Sequence, residues 1–138
     1  MKQLKIILLA CILLIVVGCQ NKNTAIEEAK EKLNDYCRKL PTSMYTSNED
    51  IYLFDVTGDG TEDLCTDAFF VSGMPRVSVV VYDYINDRFY MLDGFPDDYR
   101  LEGIEKGRLV VRRYQEKKEE YGTVKFANDT INFIANWQ

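Results

Sequence analysis

The alternation of apolar and polar side chains after residue 50 limits the possible folds of this chain more than any other feature. In the stretch from Arg76 to Tyr84, valines recur at every second position. Side chains of a strand point alternately to the two faces of its sheet, so this period is typical of strands. Turn sequences such as Asn86-Asp87 and Lys106-Gly107 separate the alternating stretches. We therefore expect an antiparallel β-meander of about seven short strands.

One amphipathic helix is predicted before the strands. Thr24-Ala25-Ile26-Glu27 has the form of a capping box, and Pro41 ends the helical pattern. Apolar residues recur between them at helical spacing: Ile26, Ala29, Leu33, Tyr36 and Leu40. We expect helix 24–40 to pack this stripe on one face or end of the sheet, because its acidic residues disfavour contact with lipid. The predicted fold is a single α+β domain.

The first 18 residues are typical of a secretory signal peptide. Two lysines, Lys2 and Lys5, precede twelve uninterrupted apolar residues from Ile6 to Val17. Such a run is too short for a membrane-spanning helix, which needs roughly 20 residues. Cys19 directly follows Val16-Val17-Gly18, and this ending resembles the lipobox of bacterial lipoproteins.

The resemblance to bacterial lipoproteins implies a location and a division of the chain. Residues 1–18 would be removed, and Cys19 would carry a diacylglyceryl group and an acylated amino end with fatty acids such as palmitate. Residues 19–23 would then be a lipidated tether, followed by the single domain at 24–138. We expect the protein on the cell membrane or the outer membrane, facing the periplasm or the exterior.

The charge balance restricts the classes of partner. Loss of Lys2 and Lys5 from the 17 basic residues leaves 15, against 22 acidic residues, so the mature part has a formal net charge of −7. A nucleic-acid partner requires a basic surface, and adhesion to anionic lipid requires the same. We therefore expect the acyl chains on Cys19 to be the membrane anchor.

Two cysteines remain once Cys11 is removed and Cys19 is lipidated. Exported proteins often reach an oxidising compartment, so the sequence favours a disulfide between Cys37 and Cys65. The alternative is a pair of buried free thiols, because cysteine also packs as a small apolar residue.

The acidic segment 55–63 is the one local motif with a clear chemical interpretation. Calcium prefers six to eight oxygen ligands, and a tight loop supplies them from alternating positions. Gly60 permits the sharp turn that such a loop requires. A plain Gly/Asp-rich turn is the alternative. The candidate ligands are Asp55, Thr57, Asp59, Thr61 (through its carbonyl) and Asp63.

This spacing resembles the calcium loops of FG-GAP/VCBS-type repeats and the first half of an EF-hand loop. Position 12 of the loop is Thr66 rather than a glutamate, so the EF-hand is incomplete, and one copy cannot build a propeller. The resemblance implies calcium binding by this loop, and the low affinity expected of such a site favours a structural clip that joins strand 51–54 to strand 64–71. We expect a weak site, with a dissociation constant of about 10⁻⁴–10⁻³ M.

The remaining candidate sites are less specific. The chain has no histidine, which removes the commonest general base and transition-metal ligand. Asp93, Asp97 and Asp98 are candidate paired carboxylates for glycoside hydrolysis, although the sequence favours a solvated acidic loop between strands. Four tyrosines form a candidate binding face, with cross-strand packing as the alternative: Tyr82, Tyr84, Tyr90 and Tyr99.

These features together favour a non-enzymatic binding or accessory module at the cell envelope. Its partner would be an envelope protein or a glycan. The first alternative is a small β-rich lipoprotein that inhibits a lysozyme-like enzyme, because an acidic body complements a basic target. A glycan hydrolase is the weaker alternative.

Overall fold

The computed structural model describes residues 23–71, 76–92, 94 and 96–135. The predicted signal peptide, Cys19 and residues 20–22 of the predicted tether lie outside these residues. Within the described part of the chain, no helix has both the length and the apolar character needed to cross a membrane.

One helix and eight strands make up the described chain. Helix α1 covers residues 23–39, close to the predicted 24–40. The strands are β1 (Met44–Phe54), β2 (Asp63–Phe70), β3 (Val77–Asp83), β4 (Arg88–Leu92), β5 (Asp98–Glu105), β6 (Arg108–Gln115), β7 (Lys118–Ala127) and β8 (Thr130–Ala135).

The eight strands form two antiparallel sheets, in the orders β1-β2-β3-β4 and β5-β6-β7-β8. The α+β class is confirmed, but the expected single meander of about seven strands is wrong. The chain changes sheet after β4, where Gly94 and Asp97 form an isolated bridge with an N–H···O distance of 2.5 Å. Strand β5 then enters the second sheet, where it pairs with β6.

Strand β1 also begins earlier than the sequence pattern indicated. The strand was predicted at 51–54, yet Met44 already pairs with Phe70 at the start of β1. The pairing register shifts between Thr46 and Ile51, which marks a β-bulge or similar irregularity. An irregularity of this kind interrupts the alternation of side chains between the two faces. The first half of the strand therefore lacks the period-two pattern by which the sequence would have indicated it.

The molecule has three layers, with the first sheet in the middle. Helix α1 packs on the outer face of this sheet, as expected, and buries Ala29, Leu33 and Cys37 against Leu64, Ala68, Val80 and Tyr82. The second sheet covers the opposite face. The main core residues between the sheets are Cys65, Val79, Val81, Leu101, Leu109, Val111 and Ile131.

Both described cysteines are free, so the predicted disulfide is wrong. Cys37 lies on α1 in the helix-facing core, whereas Cys65 points from β2 into the core between the sheets. The first sheet therefore separates the two thiols. Burial raises the pKa of Cys37 to about 11, and it raises the pKa of Cys65 as well, so both behave as small apolar residues.

Candidate functional site at the acidic end

Three connections lie together at one end of the two-sheet sandwich, which we call the acidic end. They are the loop 55–62 between β1 and β2, the turn 84–87 between β3 and β4, and the turn 128–129 between β7 and β8. The Asn86 amide donates to Asp59 across 3.4 Å, and Arg88 pairs with Asp129 at 3.0 Å. The antiparallel strands thus bring the predicted calcium loop beside two other turns.

The loop is folded by hydrogen bonds from its own backbone to its carboxylates. Asp55 accepts the amide protons of Gly58 at 2.7 Å and Gly60 at 3.0 Å, and Asp59 accepts that of Thr61 at 2.8 Å. Gly60 has a φ of 90°, a backbone conformation that residues with a side chain rarely adopt. The sharp turn predicted at Gly60 is therefore present.

Asp63 closes the loop from the first position of β2. One of its oxygens accepts the amide protons of Val56 at 2.8 Å and Thr57 at 2.9 Å, and the residue is only 1 % exposed. Burial raises the pKa of Asp63, and the nearby charge of Asp83 raises it further, while the two amide donors act in the opposite direction. Negative charge at this position is consequently disfavoured unless a cation approaches.

Asp83, at the end of β3, is a member of this site that the sequence did not indicate. It is 3 % exposed, and it accepts hydrogen bonds from the backbone and side-chain nitrogens of Asn86 at 3.0 and 2.7 Å. An aspartate that ends a strand three residues before an asparagine is a signal for such a capped turn. That signal gives no information on the neighbouring loop, so the proximity of the Asp83 carboxylate to that of Asp63 was not predictable.

The carboxylate and hydroxyl oxygens of the acidic end are the ligand type that a hard cation such as calcium prefers. In this structure, however, the carboxylates are oriented to accept hydrogen bonds from the loop's own backbone. In the described part of the chain, no group of three or more Asp, Glu or Cys residues is arranged to hold a metal ion. The carboxylates of Asp55, Asp59 and Asp63 instead accept backbone amide protons. Each carboxylate has about four lone-pair sites, so these bonds leave oxygen available for a calcium ion.

Among the candidate calcium ligands, the Thr57 hydroxyl stands out because its own hydrogen bonding is not satisfied. It is buried and forms no hydrogen bond of acceptable geometry, yet it lies close enough to Asp63 to lower the pKa of that carboxyl. A depression of about 400 Å³ opens beside it. The lining residues are Thr57, Asp59, Asp83, Asn86, Arg88, Tyr90, Phe126 and Asp129.

The four tyrosines predicted as a binding face do not lie on one face. Tyr82 is fully buried under α1, where its ring stacks on that of Phe89 with the centroids 4.1 Å apart. Its hydroxyl donates a hydrogen bond to Asp87, and Tyr84 packs against the same core. Tyr90 and Tyr99 belong to the core between the two sheets. Tyr82 and Tyr84 thus lie on the α1 side of the first sheet, whereas Tyr90 and Tyr99, the latter on β5 of the second sheet, lie in the core on its other side.

The carboxylates considered for glycoside hydrolysis have structural partners. Asp97 is buried beside Arg113, at 3.7 Å, and accepts the Tyr99 hydroxyl at 3.4 Å. Asp98 accepts the Val77 amide proton at 3.1 Å and so links β5 to β3. Asp93, the third member, lies outside the described residues. Asp97 and Asp98 point to different partners rather than to a common ligand position.

Comparisons with protein-family models, with curated proteins and with solved structures found no match.

Proposed function

We propose that this protein is a lipid-anchored, non-enzymatic binding or accessory domain of the cell envelope. The observation that carries the proposal is the position of Cys19 directly after Gly18, at the end of a basic and then apolar segment. Residues 20–22 lie between Cys19 and the first described residue of α1, and three residues reach at most about 10 Å. The anchor would hold the sandwich close to the membrane surface.

Fatty-acid labelling tests the anchor. Cells that express the full chain and are fed an alkyne analogue of palmitate should yield labelled protein in the membrane fraction. The Cys19→Ala variant should lose the label, because its acceptor thiol is gone. Cys11→Ala is the matched control and should keep it, since Cys11 belongs to the removed segment. An unlabelled parent chain, or equal labelling of Cys19→Ala, contradicts the proposal.

We also propose that the 55–63 loop binds calcium as a structural clip between β1 and β2. The support is the burial of Asp63 and Asp83 close enough for the charge of Asp83 to raise the pKa of Asp63, at the end of a loop that also contains Asp55 and Asp59. Mutual repulsion of such charges disfavours the folded state, and a divalent cation would relieve it. Asp55, Thr57, Asp59, Thr61 and Asp63 would supply the oxygen ligands.

Calcium is therefore expected to raise the melting temperature of the protein by several degrees. With a dissociation constant of about 10⁻⁴ M, an ion concentration of about 1 mM stabilises the fold by roughly 1.4 kcal/mol. Asp59→Asn should weaken this response at least severalfold, whereas Asp35→Asn on the exposed side of α1 should leave it unchanged. If calorimetry detects no binding and the melting temperature stays constant, the calcium clip is excluded.

A further inference from the structure

The outer face of the second sheet presents side chains that the core and the acidic end do not use. Arg100 on β5, Arg112 on β6 and Tyr121 on β7 are register partners in one row across the sheet. Tyr114 and Glu119 form the next row. Leu101 and Val111 face the core from adjacent positions of the same strands, so alternation turns these rows to solvent.

Part of this face is a depression of about 330 Å³, which we call the β5–β7 depression. Its lining residues are Asp98, Arg100, Arg112, Tyr114 and Glu119. Tyr114 remains 44 % exposed, which is a large apolar ring surface left open to solvent. The depression thus combines one flat aromatic surface with charged groups of both signs, as small-molecule sites often do.

Arg112, one of the lining residues, forms two ion pairs. Its Nε lies 2.7 Å from a Glu102 oxygen, and its Nη1 lies 3.2 Å from a Glu119 oxygen. Two ion pairs on one planar guanidinium restrict its rotation, so the wall of the depression is preorganised. A preorganised wall lowers the entropy cost of binding a ligand.

Arg100 is the group in the depression with unused binding capacity. It forms no ion pair or hydrogen bond with any residue that the structure describes, although its charge lowers the pKa of the buried Asp67. A guanidinium offers five donors in a plane and pairs with a carboxylate through two parallel hydrogen bonds. The unpaired cation therefore favours a ligand that carries a carboxylate.

We infer that the β5–β7 depression binds a carboxylate-bearing glycan, an inference that rests on the proposed role as a binding domain. The apolar face of a sugar ring stacks on Tyr114, and the sugar carboxylate pairs with Arg100. Carboxylate oxygens of Asp98 and Glu119 accept hydrogen bonds from sugar hydroxyls. The protein is acidic overall, so these local contacts, and not a general attraction of anions, provide the affinity.

Calorimetric titration of the full-length protein in detergent tests this inference with two sugars. The first is a hyaluronan tetrasaccharide, which carries glucuronate carboxylates, and the second is chitotetraose, which is neutral. We expect the hyaluronan fragment to bind at least about tenfold more tightly. Arg100→Gln should remove this preference, and Tyr114→Ala should weaken binding of both sugars. Arg108→Gln, an exposed arginine at the start of β6, is the control and should change neither affinity.

Absence of binding by either sugar, or an unchanged preference in Arg100→Gln, overturns the inference. Melting temperatures of the variants establish that each remains folded, since both substitutions are at exposed positions. Failure of this experiment leaves the lipid anchor and the calcium clip intact, because fatty-acid labelling and calcium titration measure those separately.

Discussion

Replacing Gly122 with alanine is expected to destabilise the protein by about 2–4 kcal/mol. Gly122 lies on β7, and a Cβ atom built there would come far too close to the carbonyl oxygen of Ile134 on β8. It would also lie 2.6 Å from two ring carbons of Phe133. The carbonyl belongs to the neighbouring strand, so relief requires β8 to move.

The Phe133 ring cannot simply rotate away from such a methyl group. It packs against Tyr99, with ring centroids 5.7 Å apart, and the Arg113 guanidinium lies over it at 4.9 Å. Denaturant unfolding of Gly122→Ala measures the cost, and Thr123→Ala, at the adjacent position of the same strand, is the control. A loss of stability below about 0.5 kcal/mol would contradict this close packing of β7 against β8.

Replacing Asp67 with asparagine is expected to stabilise the protein at neutral pH by on the order of 2 kcal/mol. Asp67 is 7 % exposed and joins the two sheets, because it accepts the Leu101 amide proton at 2.8 Å. Burial raises its pKa to about 6, and the charges of Asp50 and Glu102 act in the same direction. The Leu101 amide and Arg100 partly oppose this shift.

The sign of the pH dependence follows from this raised pKa. Between the unfolded pKa of about 3.9 and the folded value of about 6, the native state binds more protons than the unfolded chain. The contribution of Asp67 is therefore most favourable below about pH 4, and it is lost as the pH rises through 6. Asparagine keeps an acceptor for Leu101 and carries no charge, so its contribution does not change over this range.

Denaturant unfolding at several pH values between 4 and 8 measures this effect. The two proteins should have similar stability near pH 4 and should diverge up to about pH 7. Glu28→Gln on the exposed face of α1 is the matched control and should follow the parent curve. An Asp67→Asn protein that is less stable than the parent at pH 7 would contradict the proposed cost of burying this charge.

The local elements of the fold were predictable because their signals are local. The capping box at Thr24 and the stop at Pro41 placed the helix within one residue at either end. Period-two alternation found most strands for the same reason. Strand β1 was the exception, because the register shift between Thr46 and Ile51 breaks the alternation on which the prediction depended.

The arrangement of layers was not predictable, because alternation does not say what covers each face. Cys37 and Cys65 seemed suitable for a bridge, yet the first sheet lies between them. Tyr82 and Tyr90 were assigned to one face, although they sit on opposite sides of the same sheet. At the acidic end, the turn at Gly60 followed from the sequence, whereas the approach of Asp83 depends on the pairing of β2 with β3.

The mass of the intact protein, isolated from membranes of its native cells, tests the central proposal most directly. Anchoring predicts a chain that begins at Cys19 and is heavier than its polypeptide by a diacylglyceryl group and one further acyl chain. Recovery of an unmodified chain that still begins at Met1 would contradict lipid anchoring and the envelope location inferred from it.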